Sequence, residues 1–110
     1  MTDQTTGHRK TRRELLEAFL AQKPEDAFSR YGLALECMNS GDVGSAETHF
    51  RELLARNPSY VPAYLMFAQM LVRESRPDDA RQVLDQGIRV ASQAGNSHAQ
   101  SEMESLLAEI

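Results

Sequence analysis

Shifted by 34 positions against itself, the 110-residue chain superimposes residues of like character. Ala34 falls on Ala68 and Ala46 on Ala80, while Leu33 falls on Phe67, Cys37 on Leu71, Phe50 on Leu84 and Leu54 on Ile88. Small residues recur beside large apolar ones, which is what stacked helical hairpins require: small side chains where two helices cross closely, large ones where they pack. This recurrence excludes most other ways of folding a chain of this length.

The local signals agree with it. Leu15, Leu16, Phe19 and Leu20 recur at helical spacing until Lys23-Pro24, where the residue before proline is driven out of the helical region, so a first helix is predicted over Arg12 to Gln22. Asp26 suits the cap of a helix ending near Asn39, and Asp42 the cap of the next, ending near Arg56. "NPS" separates that from a helix over about Val61 to Glu74. "SRPDDA" then restarts a helix with Pro77 in its first turn and Asp78 and Asp79 favoured by its dipole, running to about Ala94. Gly95 suits a left-handed stop, and Asn96 or Ser97 caps a last helix. No stretch alternates apolar and polar residues with β-branched enrichment, so the expected class is all-α, an antiparallel helical-hairpin array (α-solenoid) of about six helices. The expected organisation is a disordered leader at 1–10, an N-terminal helix or half-repeat at 11–24, repeats at 27–60 and 61–94, and a capping helix at 96–110 whose glutamates form its solvated face.

Composition narrows the function classes. The net charge is −4, with no excess of basic residues in 1–26, 27–60 or 61–94 and three acidic side chains unopposed in 95–110. Without a broad positive field, nucleic acid is an improbable partner. No run of about 18 apolar residues would span a bilayer. A single cysteine, Cys37, excludes a disulfide framework and fits a reducing compartment, the cytoplasm by default.

Candidate chemistry is sparse. "NSGDVGSA" at 39–46 has the glycines of a phosphate loop but neither of the phosphate-binding glycine patterns, and no strand leads into it; it reads as a turn. Asp78-Asp79 reads as a helix start rather than an acid–base pair. His8, His49 and His98 share no ligand spacing with one another or with Cys37 and read as surface histidines. Cys37 lies on the packing face with Leu33 and Ala34 and reads as an inert thiol. The basic cluster "HRKTRR" at 8–13 reads as a solubilising arm. Hence no catalytic residue, metal site or cofactor is expected, and the chain is not expected to be an enzyme.

One feature is unaccounted for by packing alone. The helix that buries Leu33, Ala34 and Cys37 carries a second apolar stripe, Phe28, Tyr31, Leu35 and Met38, at spacings of three, four and three.

At these residues the chain resembles the tetratricopeptide repeat family. In residues 27–60 its motif positions are met by Leu33-Ala34, Cys37, Gly41, Ala46, Phe50 and Pro58; in 61–94 by Tyr64, Phe67-Ala68, Leu71, Ala80, Leu84 and Gly87. Arg30 stands where the first copy would have a large aromatic residue, Leu53 where it would have a small one, and the second copy has Ser75 for glycine and Ser92 for proline. The resemblance implies that Phe28, Tyr31, Leu35 and Met38, with Leu65, Met66, Gln69 and Arg73 from the second copy, line a concave groove. In this family that surface binds peptides or helices of partner proteins. The Lys/Arg/Asn set with which some members clamp acidic tails is not matched here, so the expected ligand is an apolar or amphipathic peptide, with a homodimer through the same surface as the alternative.

Overall fold

The computed structural model describes residues 9–110, and among them every regular element is helical. The helices are α1 (Arg12–Gln22), α2 (Ala27–Asn39), α3 (Val43–Arg56), α4 (Val61–Arg73), α5 (Pro77–Gln93) and α6 (Ser97–Glu109). Each packs on its chain neighbours, and α4 also touches both α2 and α6. The fold is therefore an all-α helical-hairpin array in which α2, α4 and α6 lie side by side. Of the leader expected at 1–10, residues 1–8 lie outside the described residues; Arg9 and Lys10 are non-helical and exposed.

The helices start where the sequence supplies acceptors for their first amides. Asp26, Asp42 and Asn96 accept from the backbone N–H of Ser29 (2.9 Å), Ser45 (3.2 Å) and Ala99 (3.1 Å). Thr11 and Glu14 form a reciprocal capping box, at 3.1 and 2.8 Å. α4 and α5 have no side-chain cap; each carries a proline in its first turn, where the missing N–H would have had no helical partner.

The joints repeat as well. Lys23 and Asn57, 34 residues apart and each followed by proline, have nearly the same backbone, φ −134° ψ 72° and φ −136° ψ 73°. Three other joints pass through the left-handed region at Gly41 (φ 85°), Ser75 (φ 59°) and Gly95 (φ 71°). The residue after each donates its N–H back to Cys37, Leu71 and Ala91, all at 2.9 Å, closing the helix ends. Ser75 holds this conformation at a steric cost of about 1–2 kcal/mol that glycine avoids, partly offset by the greater freedom glycine has when unfolded. Ser75→Gly is therefore expected to raise stability by about 0.5–1 kcal/mol, read from urea denaturation midpoints at unchanged slope.

The core follows the recurrence. Leu33, Ala34, Cys37, Ala46, Phe50, Leu53, Tyr64, Phe67, Ala68, Leu71, Ala80 and Leu84 are all at most 1% exposed. Phe50 and Phe67 stack across the junction between the two repeats, with ring centroids 5.2 Å apart. Leu53, in place of a small residue, is accommodated with 0% exposure. Arg30, in place of an aromatic, reaches back to donate to the Pro24 carbonyl at 2.7 Å.

Ion pairs fasten the helices to one another. Arg13 of α1 donates to Asp42 at 2.8 Å and Ser45 at 3.3 Å. Arg12 lies 3.3 Å from Glu36. Arg13 thus belongs to the array rather than to a solubilising arm, because α1 begins at Arg12 and points Arg13 at the hairpin, while Arg12 stays 71% exposed beside Glu36. Further along, Arg76 at the start of α5 donates to both oxygens of Glu47, at 2.7 and 3.0 Å.

The Arg76 guanidinium, with some opposition from burial, brings the Glu47 carboxyl down from 4.5 to about 2. A carboxylate with a depressed folded pKa stabilises the fold above its unfolded value, and that contribution is lost as pH falls from about 4.5 through about 2. Because Arg76 is 37% exposed, water screens the pair. Glu47→Gln should cost about 1 kcal/mol at neutral pH. The difference from wild type should vanish near the bottom of that window, as followed by circular dichroism during acid titration.

Candidate functional site

The chemical candidates do not converge. Cys37 is completely buried, and burial pushes its thiol up, outweighing the downward pull of Arg13; a nucleophilic thiol needs the opposite. Asp78 accepts from Arg81 at 2.6 Å and Asp79 from Arg76 at 2.8 Å, so each is engaged at the start of α5. Gly41 and Asp42 form the turn between α2 and α3. Among the described residues, no three His, Cys, Asp or Glu side chains are grouped to hold a metal ion.

His49 departs from the surface reading. It is half-buried on α3, its Nδ1 has no hydrogen-bond partner, and burial, followed by Arg30 and Arg13, pushes its pKa down. The 34-residue shift places it on Val83, which is 8% exposed. His49 therefore occupies a packing position. His98 is exposed, 3.4 Å from Glu102, and His8 lies outside the described residues.

The groove residues fall on α2 and α4. Phe28 is 77% exposed; Tyr31, Leu35, Met38, Leu65, Met66 and Gln69 are half-buried, and Arg73 is exposed. α1 runs beside the stripe without sealing it: its Leu16 side chain lies against Gly32, which neighbours Phe28 and Leu35 on the α2 surface, and Phe28 stays exposed. Tyr31, Leu65 and Met66 line one cleft of about 230 Å³, walled also by Val61, Pro62, Asn96, Ala99, Glu102 and Met103. A second cleft of about 300 Å³ continues from Leu65 and Gln69 to Glu102, Ser105, Leu106 and Glu109. Tyr31 leans on Tyr60, centroids 5.3 Å apart, and burial raises its pKa, which keeps it a neutral hydroxyl. Leu35, Met38, Phe28 and Arg73 line neither cleft; they extend the same face towards solvent.

The wall built by α6 is what sequence reasoning missed. A shift of 36 rather than 34 places Ala99 on Ala63, Met103 on Phe67 and Leu107 on Leu71, so α6 takes the place of a third first-helix beside α4. The signal was present but offset by the length of α5, at 17 residues the longest helix. In consequence Glu102 and Glu109 are not simply a solvated face: both line the clefts, and the groove changes from apolar on α2 to acidic on α6.

Comparison with known proteins agrees with this architecture. Residues 8–110 match the family model described as the cilia and flagella-associated protein 70 middle TPR-like domain. A TPR repeat-containing protein of Pseudomonas aeruginosa is 28% identical over 90 residues, covering 82% of this chain and 86% of that protein. The solution structure of a tetratricopeptide repeat domain protein from Salinibacter ruber superimposes with a TM-score of 0.74 at 35% identity, covering 78% of this chain and 87% of the other. A Bordetella parapertussis protein gives 0.78 at 25% identity, covering 92% and 88%. Folds of this kind are generally protein-interaction modules and typically non-enzymatic, and no helix among the described residues is long and apolar enough to cross a membrane. With its repeated helix-pair packing and a model match along nearly its whole length, this chain belongs to the tetratricopeptide repeat family.

Proposed function

We propose that the chain is a non-enzymatic interaction module of the cytoplasm that receives an apolar or amphipathic peptide or helix of a partner protein in the groove across α2, α4 and α6. The observation carrying this reading is the cleft at Tyr31, Leu65 and Met66, with the exposed Phe28 one helical turn from Tyr31. An apolar side chain buried there contributes up to about 1.5–3 kcal/mol, so two or three anchors suffice for a specific complex. Met66 and Met38 let the wall adapt to the ligand's shape. The acidic lining and the net charge of −4 favour a protein over a nucleic acid.

Native partners captured on the wild-type chain should be lost on Leu65→Asp and weakened at least about tenfold by Tyr31→Ala, equivalent to about 1.4 kcal/mol. Partner binding that survives both substitutions, in variants whose circular dichroism is unchanged, excludes the groove. An enzyme built on Cys37 is checked separately by thiol labelling: the folded protein should react only as fast as it unfolds.

A further inference from the structure

α1 carries a surface that the packing of the array leaves unused. Leu15 is 57% and Phe19 44% exposed. Their counterparts 34 and 68 residues along are covered: Leu53 is 0% and Val83 8% exposed, Gly87 is buried and His49 half-buried. Arg12, Leu15, Phe19 and Gln22 follow one another at spacings of three, four and three, so they form one stripe along the helix. Its ends are cationic. Arg12 is 71% exposed even while it reaches Glu36, Lys23 is exposed immediately after the helix, and Arg9 and Lys10 precede it. Residues 9–24 hold five basic side chains against two acidic.

The groove is the complement of this stripe. Its floor is apolar at Tyr31, Leu65 and Met66, and its α6 wall presents Glu102 and Glu109, from a segment, 95–110, with three acidic side chains and no lysine or arginine. We infer that a second copy of this chain occupies the groove, its α1 laying Leu15 and Phe19 onto Tyr31, Leu65 and Met66 and its Arg12 and Lys23 against Glu102 and Glu109. The inference rests on the proposed groove and names an occupant for it. Opposite charges steer and register the two surfaces, while two copies docked through like faces would set cations against cations or carboxylates against carboxylates. The contact is heterologous, since one copy offers α1 and the other its groove.

Light scattering and sedimentation of the intact chain over a wide concentration series provide the test. The mass is expected to rise above the 12.3 kDa of one chain as concentration increases, and less so at high salt. Phe19→Asp should remove the docking face and Leu65→Asp the groove, each moving the association midpoint at least about tenfold higher. Because the contact is heterologous, mixing these two variants should restore a one-to-one complex, each supplying the surface the other lacks. If Leu65→Asp does not fold by circular dichroism, the pair Glu102→Lys and Glu109→Lys replaces it. A chain monomeric at every concentration, association indifferent to Phe19→Asp, or variants that fail to recombine would each overturn the inference. Should the monomeric chain still bind a partner protein that Leu65→Asp releases, the groove stands and only its self-occupancy fails.

Discussion

Gly87→Leu is expected to lower stability by about 2–3 kcal/mol and to loosen the whole C-terminal half of the array. A Cβ built at Gly87 would lie 2.6 Å from the Cβ and 2.8 Å from the Cγ of Tyr64, and 2.7 Å from the Sδ of Met103. The Met103 sulfur sits on a flexible chain and can turn aside. The Tyr64 atoms lie next to the α4 backbone and cannot, because the ring is fully buried and its hydroxyl donates to the Pro58 carbonyl at 2.5 Å. Leucine in mid-helix recovers up to about 1 kcal/mol of helix propensity relative to glycine, which is already subtracted from the expected loss. Gly87→Ala separates the two effects. It should still destabilise, by about 1 kcal/mol, whereas a stabilised alanine variant would mean that propensity outweighs the close crossing. Displacement of Met103 also shifts α6, so the cleft wall at Ala99 and Glu102 should move with it, and Gly87→Ala should weaken binding at the proposed groove even where the chain remains folded.

The second large effect is expected at the junction between repeats. Phe67 is 1% exposed, lies nearly parallel to Phe50, and has the Arg51 guanidinium 5.0 Å from its ring centroid. Phe67→Ala should cost about 3–5 kcal/mol, combining lost burial with an unfilled cavity that helices fastened at both ends cannot close. In a repeat array stability depends on the interfaces between neighbouring units as much as on the units themselves. The substitution should therefore lower the urea slope as well as the midpoint, as the two hairpins cease to unfold together. A variant that keeps the wild-type slope and loses under about 1 kcal/mol would show that the junction is held by something other than this ring pair. Phe67→Leu, which fills most of the space, should cost markedly less.

Several features were readable without coordinates because they depend on neighbours in the chain. Asp26, Asp42 and Asn96 start helices for the local reason that a short polar side chain can accept from an amide three residues on. Pro24 and Pro58 hold the preceding residues out of the helical region, and the turns at Gly41 and Gly95 need a left-handed residue. Ser75 shows that the turn persists when the favoured residue is absent, since the paired helices on either side hold it.

The site was readable only in part. Tyr31, Leu65 and Met66, predicted to share a surface, do line one cleft, whereas Leu35 and Met38, on the same helical stripe, remain outside it. Spacing places residues on a face, but it does not say where along that face a neighbouring helix rises to make a wall. That depends on α6, and the position of α6 depends on α5 being long enough to carry the chain past the 34-residue register. For the same reason Glu102 and Glu109, unremarkable on a solvated helix, become part of the groove. His49 was misread because a histidine among charged residues resembles a surface position; only the packed array shows it half-buried.

The sequence by itself determined the class of fold, the order of the helices and which residues of each face inward, since these follow from periodicity, caps and breakers acting over a few residues. Only the tertiary structure decided that Gly87 lets α5 cross α4 in contact, that α6 walls the groove with carboxylates, and that α1 leaves Leu15 and Phe19 uncovered. Each of these is a distance between segments far apart in the chain, set by how long the intervening helix is and how closely its neighbours can pack.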